Sequence, residues 1–198
     1  MQRRTKILAA LTVVLLVAGG TYYYFIQVAL PNFHTTRKGV LYRSGQPRGL
    51  GLEFVRLYGI RTLINLRSPD SDGTPEEKSF AAANGLNFYN FSIGSSTAEI
   101  DKAAQRFLAI AADKSNWPIL VHCSRGKERA GVMSAIYRIE FDRWRNADAL
   151  AETYRLGLER GHLPIPENYI KNYRPRWAAG NNTPATSSEN LPEVPWQD

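Results

Sequence analysis

One stretch of the chain, residues 122–131, concentrates the side chains that could do covalent chemistry. It contains the one cysteine of the 198-residue chain, Cys123, and five residues separate this cysteine from Arg129. The apolar residues 118–121 predict a buried strand, and the apolar positions within residues 132–139 repeat at helical spacing. The cysteine is therefore expected on a turn at the start of a helix, where unpaired N–H groups and the helix dipole attract an oxyanion. Because a thiol in such a place reacts as the thiolate, the spacing predicts a phosphate-binding catalytic loop.

This loop predicts a two-step reaction on a phosphate monoester. Cys123 would attack phosphorus in line and form a cysteinyl-phosphate, which water then hydrolyses. The charge on the three equatorial oxygens requires converging donors, which the backbone N–H groups of residues 124–129 would supply. Arg129 would add a bidentate fork that a lysine could not reproduce, and His122 would support the loop and the thiolate. The expected substrate-binding residues are Ser124, Arg125, Gly126, Lys127 and Glu128.

The elements around the loop predict how it is positioned. Strands alternate with helices along residues 31–177, which we interpret as one catalytic domain. The sequence predicts strands over 40–44, 61–67, 87–93 and 119–122, and helices over 52–57, 75–84, 99–113, 132–139, 147–160 and 166–173. This order predicts an α/β fold with a mainly parallel central sheet of four or five strands, flanked by helices on both faces. Ligands of such folds bind beyond the carboxyl ends of the strands, where Cys123 lies.

The N-terminal segment is apolar and long. Residues 7–30 carry no charge, which is enough to span a bilayer, and basic residues precede them. We therefore expect residues 1–30 to form a transmembrane signal anchor, with the catalytic domain outside the cytoplasm at the periplasmic face of the inner membrane. The alternative is a cleaved signal and a soluble periplasmic protein. The polar residues 178–198 predict a disordered tail.

The composition limits the classes of molecule that the chain is expected to bind. The formal net charge is +7, and three of these charges lie in the first six residues, so the remainder is only mildly basic and no nucleic-acid partner is expected. One cysteine excludes an internal disulfide. The sequence shows no metal-ligand cluster, and His34 and His162 are interpreted as isolated, solvated side chains. No metal and no other cofactor are expected.

The loop resembles a known signature. His-Cys-x5-Arg between a strand and a helix is the signature of cysteine-dependent protein tyrosine phosphatases, and the short domain resembles their dual-specificity branch. Residues 41–47 and 59–67 are also similar to the opening elements of bacterial and fungal members, so the resemblance covers about residues 38–175. It implies a phosphatase with Cys123 as nucleophile and Arg129 as phosphate clamp. The implied substrate is a phosphorylated protein or a small phosphorylated molecule.

The general acid is the part of this resemblance that stays open. The family carries an aspartate on the loop after the third strand, and this chain has none at the expected place. Four carboxylates remain as candidates: Glu99, Asp101, Asp72 and Glu128. Glu99 and Asp101 are equally explained as first-turn helix residues, and Asp72 as part of a solvated turn. Glu128 precedes the loop arginine, as a glutamate does in the cell-cycle phosphatases that activate cyclin-dependent kinases.

Two further departures from the family pattern affect the expected reaction rate and the expected substrate. Ala130 stands where the family usually has Ser or Thr, whose hydroxyl helps the cysteine to leave, so we expect a phosphoenzyme that breaks down slowly. Arg125 and Lys127 make the loop unusually basic, which resembles phosphoinositide phosphatases and the plant and fungal enzymes acting on inositol pyrophosphates. An inositol polyphosphate or phosphoinositide phosphatase is therefore the alternative to a protein phosphatase. A weakly active phosphate-binding module is the alternative from another class.

Overall fold

The computed structural model describes residues 2–94, 96–161 and 163–178. The predicted tail after residue 178 and His162 lie outside the described residues. Helix α1 (Gln2–Tyr24) continues as a π-helical turn, Phe25–Ala29. The catalytic domain then follows with β1 (His34–Arg37), β2 (Leu41–Ser44), α2 (Leu50–Leu57), β3 (Thr62–Asn65), α3 (Thr74–Ala83), β4 (Asn87–Asn90), α4 (Thr97–Ala112), a short 3-10 helix (Lys114–Asn116), β5 (Ile119–His122), α5 (Arg129–Glu140), α6 (Asn146–Arg155) and α7 (Pro164–Asn172).

The sheet has five strands in the order β1-β2-β5-β3-β4. Strands β2, β5, β3 and β4 are parallel, and β1 pairs with β2 antiparallel. The predicted α/β class and the mainly parallel sheet are thus confirmed. The edge strand β1 was not predicted, because its residues His-Thr-Thr-Arg show no apolar alternation. His34 therefore lies half-buried in a strand opposite Arg43, and burial, followed by the charge of Arg43, lowers its pKa.

Helices cover both faces of this sheet, as the alternating pattern predicts. The larger apolar cluster packs β5 against α4 and α5 through Ile119 and Val121, and the smaller cluster packs the other face against α2 and α3 through Leu120. Successive strand residues point to opposite faces, which explains this division. Helix α4 begins at a capping box, as the spacing of Ser96 and Glu99 in the sequence predicts: Ser96 accepts a bond from the Glu99 backbone N–H at 3.3 Å.

The N-terminal helix is long and apolar enough to cross a membrane. The candidate span, Arg4–Ala29, has 26 residues and a mean hydropathy of 1.8, and none of its most apolar stretch is buried in the protein. Ala29 and Leu30 differ from the rest, because both are buried against the domain. Packing into the domain therefore begins inside the segment that the sequence assigns to the anchor.

Candidate active site

The catalytic loop follows β5 directly and ends where α5 begins at Arg129. Cys123 is buried, with 3% of its surface exposed, and its Sγ accepts a hydrogen bond from the Gly126 backbone N–H at 3.2 Å. Gly126 has φ +76°, and a Cβ there would overlap the backbone of Ser44 and Gly45. Only glycine fits both this angle and this close approach. The loop therefore curls around the sulfur with at least one amide aimed at it.

Arg129 is held at the carboxyl edge of the sheet. Its Nη1 donates to the backbone carbonyl of Leu66 at 2.9 Å, and the Leu66 N–H donates to the His122 carbonyl at 2.9 Å. These bonds tie the first residue of α5 to the ends of β3 and β5. The guanidinium is thereby fixed beside the loop that contains Cys123.

His122 points into a buried polar cluster on the other face of the sheet. Its Nε2 lies 2.6 Å from Glu77 Oε1, and neither side chain is exposed to solvent. Glu77 Oε2 accepts hydrogen bonds from Gln46 Nε2 at 2.9 Å and from Asn65 Nδ2 at 2.7 Å. Burial alone would raise the pKa of Glu77, but the His122 charge and the hydrogen bonds from His122, Gln46 and Asn65 outweigh it and lower the pKa. The sequence analysis missed Glu77, which lies in a polar helical segment without a distinguishing spacing.

A buried arginine lies near Cys123. Arg43 in β2 is 1% exposed and donates to the Leu156 carbonyl at 2.8 Å. Burial lowers its pKa to about 10, against the opposing influence of Glu152 and Cys123. A Cβ at Gly131 would lie 3.2 Å from the Arg43 guanidinium, so this cation sits beneath the first turn of α5. The sequence analysis placed Arg43 in a strand without a functional role.

Two of the four candidate general acids, Glu99 and Asp101, lie in α4 and accept hydrogen bonds from nearby side chains or backbone. Glu99 accepts bonds from the Ser96 N–H at 3.0 Å and from its hydroxyl at 2.7 Å. Asp101 accepts a bond from Tyr169 Oη at 3.0 Å, which together with burial raises the pKa of that tyrosine. The carboxylate of Glu99 lies over Gly94, at the wall of the cleft described below, whereas Asp101 lines a separate depression.

The other two candidates, Asp72 and Glu128, each form an ion pair with an arginine. Asp72 is 80% exposed and forms an ion pair with Arg48 at 2.6 Å. Glu128 pairs with Arg125 at 3.0 Å and lines a cleft together with Arg129. Of the four carboxylates, Glu128 is therefore the one that directly borders the cleft beside the arginine.

This cleft has a volume of about 400 Å³ and a mainly apolar wall. Besides Glu128 and Arg129, its lining includes Ile93, Ile100, Val132, Leu163, Pro164 and Ile165. Residues 163–166 come from the start of α7, far along the chain from the loop. An apolar wall beside an arginine suits the ring or alkyl part of a phosphate ester.

Two arginines, Arg67 and Arg48, contact the turn after β3. Arg67 donates to Gln46 Oε1 at 3.0 Å and to the Asp72 carbonyl at 2.6 Å. Burial lowers its pKa, and the positive charges of Arg48 and Arg129 lower it further. Arg48 pairs with the Asp72 carboxylate at 2.6 Å, so Arg48 and Arg67 both contact residue 72. The Lys127 stem lies against Gly157. Of these cationic side chains, Arg129 is the one that lines the cleft.

The segment just after the candidate span, residues 31–32, forms hydrogen bonds with the catalytic loop and with the turn after β2. The Asn32 side-chain amide donates to the Arg125 carbonyl at 2.8 Å, and the Pro31 carbonyl accepts from the Gly45 N–H at 2.6 Å. The Gln46 N–H donates to the Ser124 carbonyl at 3.1 Å. The catalytic loop thus rests on residues 31–32 and on the turn after β2. The sequence analysis did not predict this contact, because no motif joins these distant segments.

Comparison with known proteins settles the family. The model of the tyrosine phosphatase family matches residues 27–189. This chain belongs to that family. Tyrosine-protein phosphatase-like protein OCA2 of Saccharomyces cerevisiae is 30% identical over 149 residues, covering 67% of this chain and 75% of the relative. Inositol diphosphatase DSP3 of Arabidopsis thaliana is 34% identical over 112 residues, covering 54% of this chain and 53% of the relative.

Solved structures agree on the fold. The core catalytic domain of the PP-IP phosphatase SIW14 of S. cerevisiae superposes with a TM-score of 0.62 at 23% identity, over 74% of this chain and 88% of that chain. TpbA of P. aeruginosa superposes with a TM-score of 0.58 at 20% identity, over 72% and 85% of the two chains. The predicted family, fold and enzyme class are confirmed: the protein is a cysteine-dependent phosphatase.

Proposed function

We propose that Cys123 and Arg129 are the nucleophile and the phosphate clamp of this phosphatase. The observation that carries the proposal is the buried Cys123 sulfur, which accepts a bond from Gly126 at 3.2 Å in a loop whose end holds Arg129. The thiolate attacks phosphorus, the alcohol or phenol leaves with a proton, and water then releases phosphate from the cysteinyl-phosphate. Turnover of para-nitrophenyl phosphate, lost in Cys123→Ser and inhibited by vanadate, tests it. Unchanged turnover in Cys123→Ser would refute it.

His122 supports the nucleophile without touching the substrate. Its imidazole is held by Glu77 at 2.6 Å on the far face of the sheet, so it fixes the strand end from which Cys123 begins. The backbone amides of residues 124–129 are proposed to bind the phosphoryl oxygens, and the Gly126 N–H that points at the Cys123 sulfur supports this.

Glu128 is the proposed proton donor to the leaving group. It borders the cleft beside Arg129, but its ion pair with Arg125 must open before its carboxyl can hold a proton. Glu128→Gln should therefore slow poor leaving groups most and good leaving groups least. Glu99→Gln, Asp101→Asn and Asp72→Asn are the matched controls. A larger leaving-group dependence in one of them would transfer the role to that residue.

The substrate proposed first is a phosphate monoester on an aromatic or otherwise apolar group, as in a phosphotyrosine side chain. The apolar wall formed by Ile93, Leu163 and Ile165 beside Arg129 supports it. A second candidate is a substrate with several phosphates, such as an inositol polyphosphate. The cluster of Arg48, Arg67 and Arg129 supports this candidate, as do relatives named inositol diphosphatases.

A substrate panel separates the two candidates. Phosphotyrosine peptides, phosphothreonine peptides and inositol phosphates are compared by kcat/KM on wild type, Ile165→Asp and Arg67→Gln. Loss of aryl phosphate turnover in Ile165→Asp alone supports the first candidate. Loss of inositol phosphate turnover in Arg67→Gln alone supports the second.

We further propose that residues 1–30 anchor the enzyme in a membrane with the catalytic domain outside the cytoplasm, at the periplasmic face. The uncharged residues 7–30 and the basic residues Arg3, Arg4 and Lys6 before them support this arrangement. Protease added to intact spheroplasts should cleave the catalytic domain. Cleavage only after lysis would contradict the orientation.

A further inference from the structure

Helix α2 carries a row of apolar side chains that the domain does not cover. Leu50 is 58% exposed and Leu57 is 74% exposed, and Tyr58 beyond the helix end is 44% exposed. With the half-buried Phe54 they occupy positions i, i+4, i+7 and i+8, which lie on one side of a helix. A single exposed leucine is ordinary, but an aligned row indicates a contact surface.

This row is continuous with the end of the candidate span. The Phe54 ring packs edge-on against Phe25, with ring centroids 5.3 Å apart. The Arg48 N–H donates to the Ala29 carbonyl at 2.9 Å, and a Cβ at Gly51 would overlap that same carbonyl. The start of α2 is therefore fixed directly against the last turn of the span.

We propose that the α2 row, Leu50, Phe54, Leu57 and Tyr58, lies in the headgroup region of the same bilayer that the N-terminal helix crosses. The proposal rests on the membrane anchoring proposed above. The bilayer is the favoured occupant because the row starts at the membrane end of the anchor and extends from Leu50 to Leu57, about 10 Å along the helix axis. Interfacial helices insert their apolar side about 5–10 Å into the boundary between headgroups and acyl chains.

Residues beside the row are of the types found at a membrane interface. Tyr22, Tyr23 and Tyr24 are exposed at the end of α1, and Tyr58 lies at the end of α2. Tyrosines concentrate at membrane interfaces because one end is apolar and the other is polar. Arg56 and Glu53 pair with each other at 3.0 Å on the flank of α2, where headgroups and water would solvate them.

This membrane contact would fix the position of the catalytic loop. Asn32 lies three residues beyond the span and binds the Arg125 carbonyl at 2.8 Å, while Pro31 binds Gly45 at the end of β2. The carboxyl edge of the sheet, which bears Cys123, is therefore the edge next to the membrane. Phosphate groups held at the bilayer surface would reach this edge without a flexible linker in the enzyme.

Site-directed spin labelling in lipid nanodiscs tests the proposal on the full chain. Because the chain has one cysteine, Cys123→Ser provides a background for single labels at Leu57→Cys and Leu50→Cys. Leu15→Cys, within the span, is the lipid-exposed control, and Lys114→Cys, exposed at the opposite edge of the sheet, is the aqueous control. We expect the oxygen-to-nickel collision ratio at 50 and 57 to exceed the ratio at 114 several-fold.

The possible results are distinguishable. If the labels at 57 and 50 match 114 while the label at 15 is in lipid, the membrane contact of α2 is refuted and the anchor stands. If the label at 15 is also aqueous, the proposed anchoring itself fails. Spin–spin broadening at 57 that disappears on dilution with unlabelled chain would identify a second copy as the occupant and overturn the proposal. All four positions are exposed, so labelling should not prevent folding.

Discussion

Replacing Glu77 by alanine should destabilise the catalytic domain strongly. Glu77 and His122 are both inaccessible to solvent and lie 2.6 Å apart, and Glu77 also accepts bonds from Gln46 and Asn65 at 2.9 and 2.7 Å. The change removes the carboxylate partner of buried His122 and the shortest hydrogen bonds of the Gln46 and Asn65 amides. Removing one partner of a buried pair costs about 3–5 kcal/mol. One kcal/mol shifts Tm by about 2–4 °C in a domain of this size, so a fall of about 6–20 °C is expected.

The assay is thermal unfolding of the full chain in detergent micelles, followed by near-ultraviolet circular dichroism of its tryptophans. Glu77→Gln keeps the shape and removes the charge, so it should cost less, about 1–3 kcal/mol. Glu76→Ala is the matched control, because Glu76 is exposed in the same turn of α3. A Glu77→Ala Tm within about 2 °C of wild type, or a control that falls as far, would refute the reasoning.

The pH dependence of the melting temperature is a second test of the cluster around Glu77 and His122. The pKa of Glu77 is lowered in the folded protein, whereas in the unfolded chain it takes the ordinary value of about 4.3. The stabilisation from the ionised carboxylate is therefore complete above the unfolded value and is lost as the pH falls through the folded value. The Tm advantage of wild type over Glu77→Gln should shrink as the pH falls below about 4. An advantage that grows on acidification would contradict an ionised Glu77.

Three further predictions concern the catalytic loop. Arg129→Lys removes the bidentate fork and should lower kcat about 100- to 1,000-fold in steady-state assays. Ala130→Ser should speed breakdown of the phosphoenzyme, seen as a smaller burst and a faster steady state in rapid-quench experiments. Asn32→Gly keeps the left-handed backbone at φ +52° but removes the bond to Arg125, so kcat should fall about 2- to 10-fold.

Each loop prediction has its own control. Arg125→Lys, on an exposed side chain, should change kcat far less than Arg129→Lys; equal effects would argue against a clamp. Absence of a burst in wild type would remove the reason for a slow second step at Ala130. Asn32→Asp lacks the amide donor and should behave like Asn32→Gly. Full activity in both would show that the loop does not depend on the segment after the span.

The β5–loop–α5 unit was predictable because its information is local. Cys123 and Arg129 lie within one continuous stretch, preceded by an apolar strand and followed by helical spacing, and the structure has this order. The helix over 99–113 was predicted from its capping residues and runs from Thr97 to Ala112. Such signals depend on neighbours in sequence, so one chain suffices to read them.

The supporting residues were not predictable for the opposite reason. Glu77, Arg43 and Asn32 belong to separate segments, and each contacts the loop region only after parallel strands bring those segments to one edge of the sheet. Strand β1 was missed because it is polar and lies at the edge, where pairing with β2 rather than burial of alternate side chains forms it.

Residue types and their spacing thus determined the reaction class, the nucleophile and arginine candidates, and the apolar N-terminal span, because each depends on residues close together in the chain. Only the tertiary structure decided what surrounds them. It placed a buried glutamate behind His122, gave the cleft beside Arg129 an apolar wall, and brought Asn32, just after the span, against the catalytic loop. These features depend on contacts between distant segments, whose partners are chosen by the packing of the whole sheet.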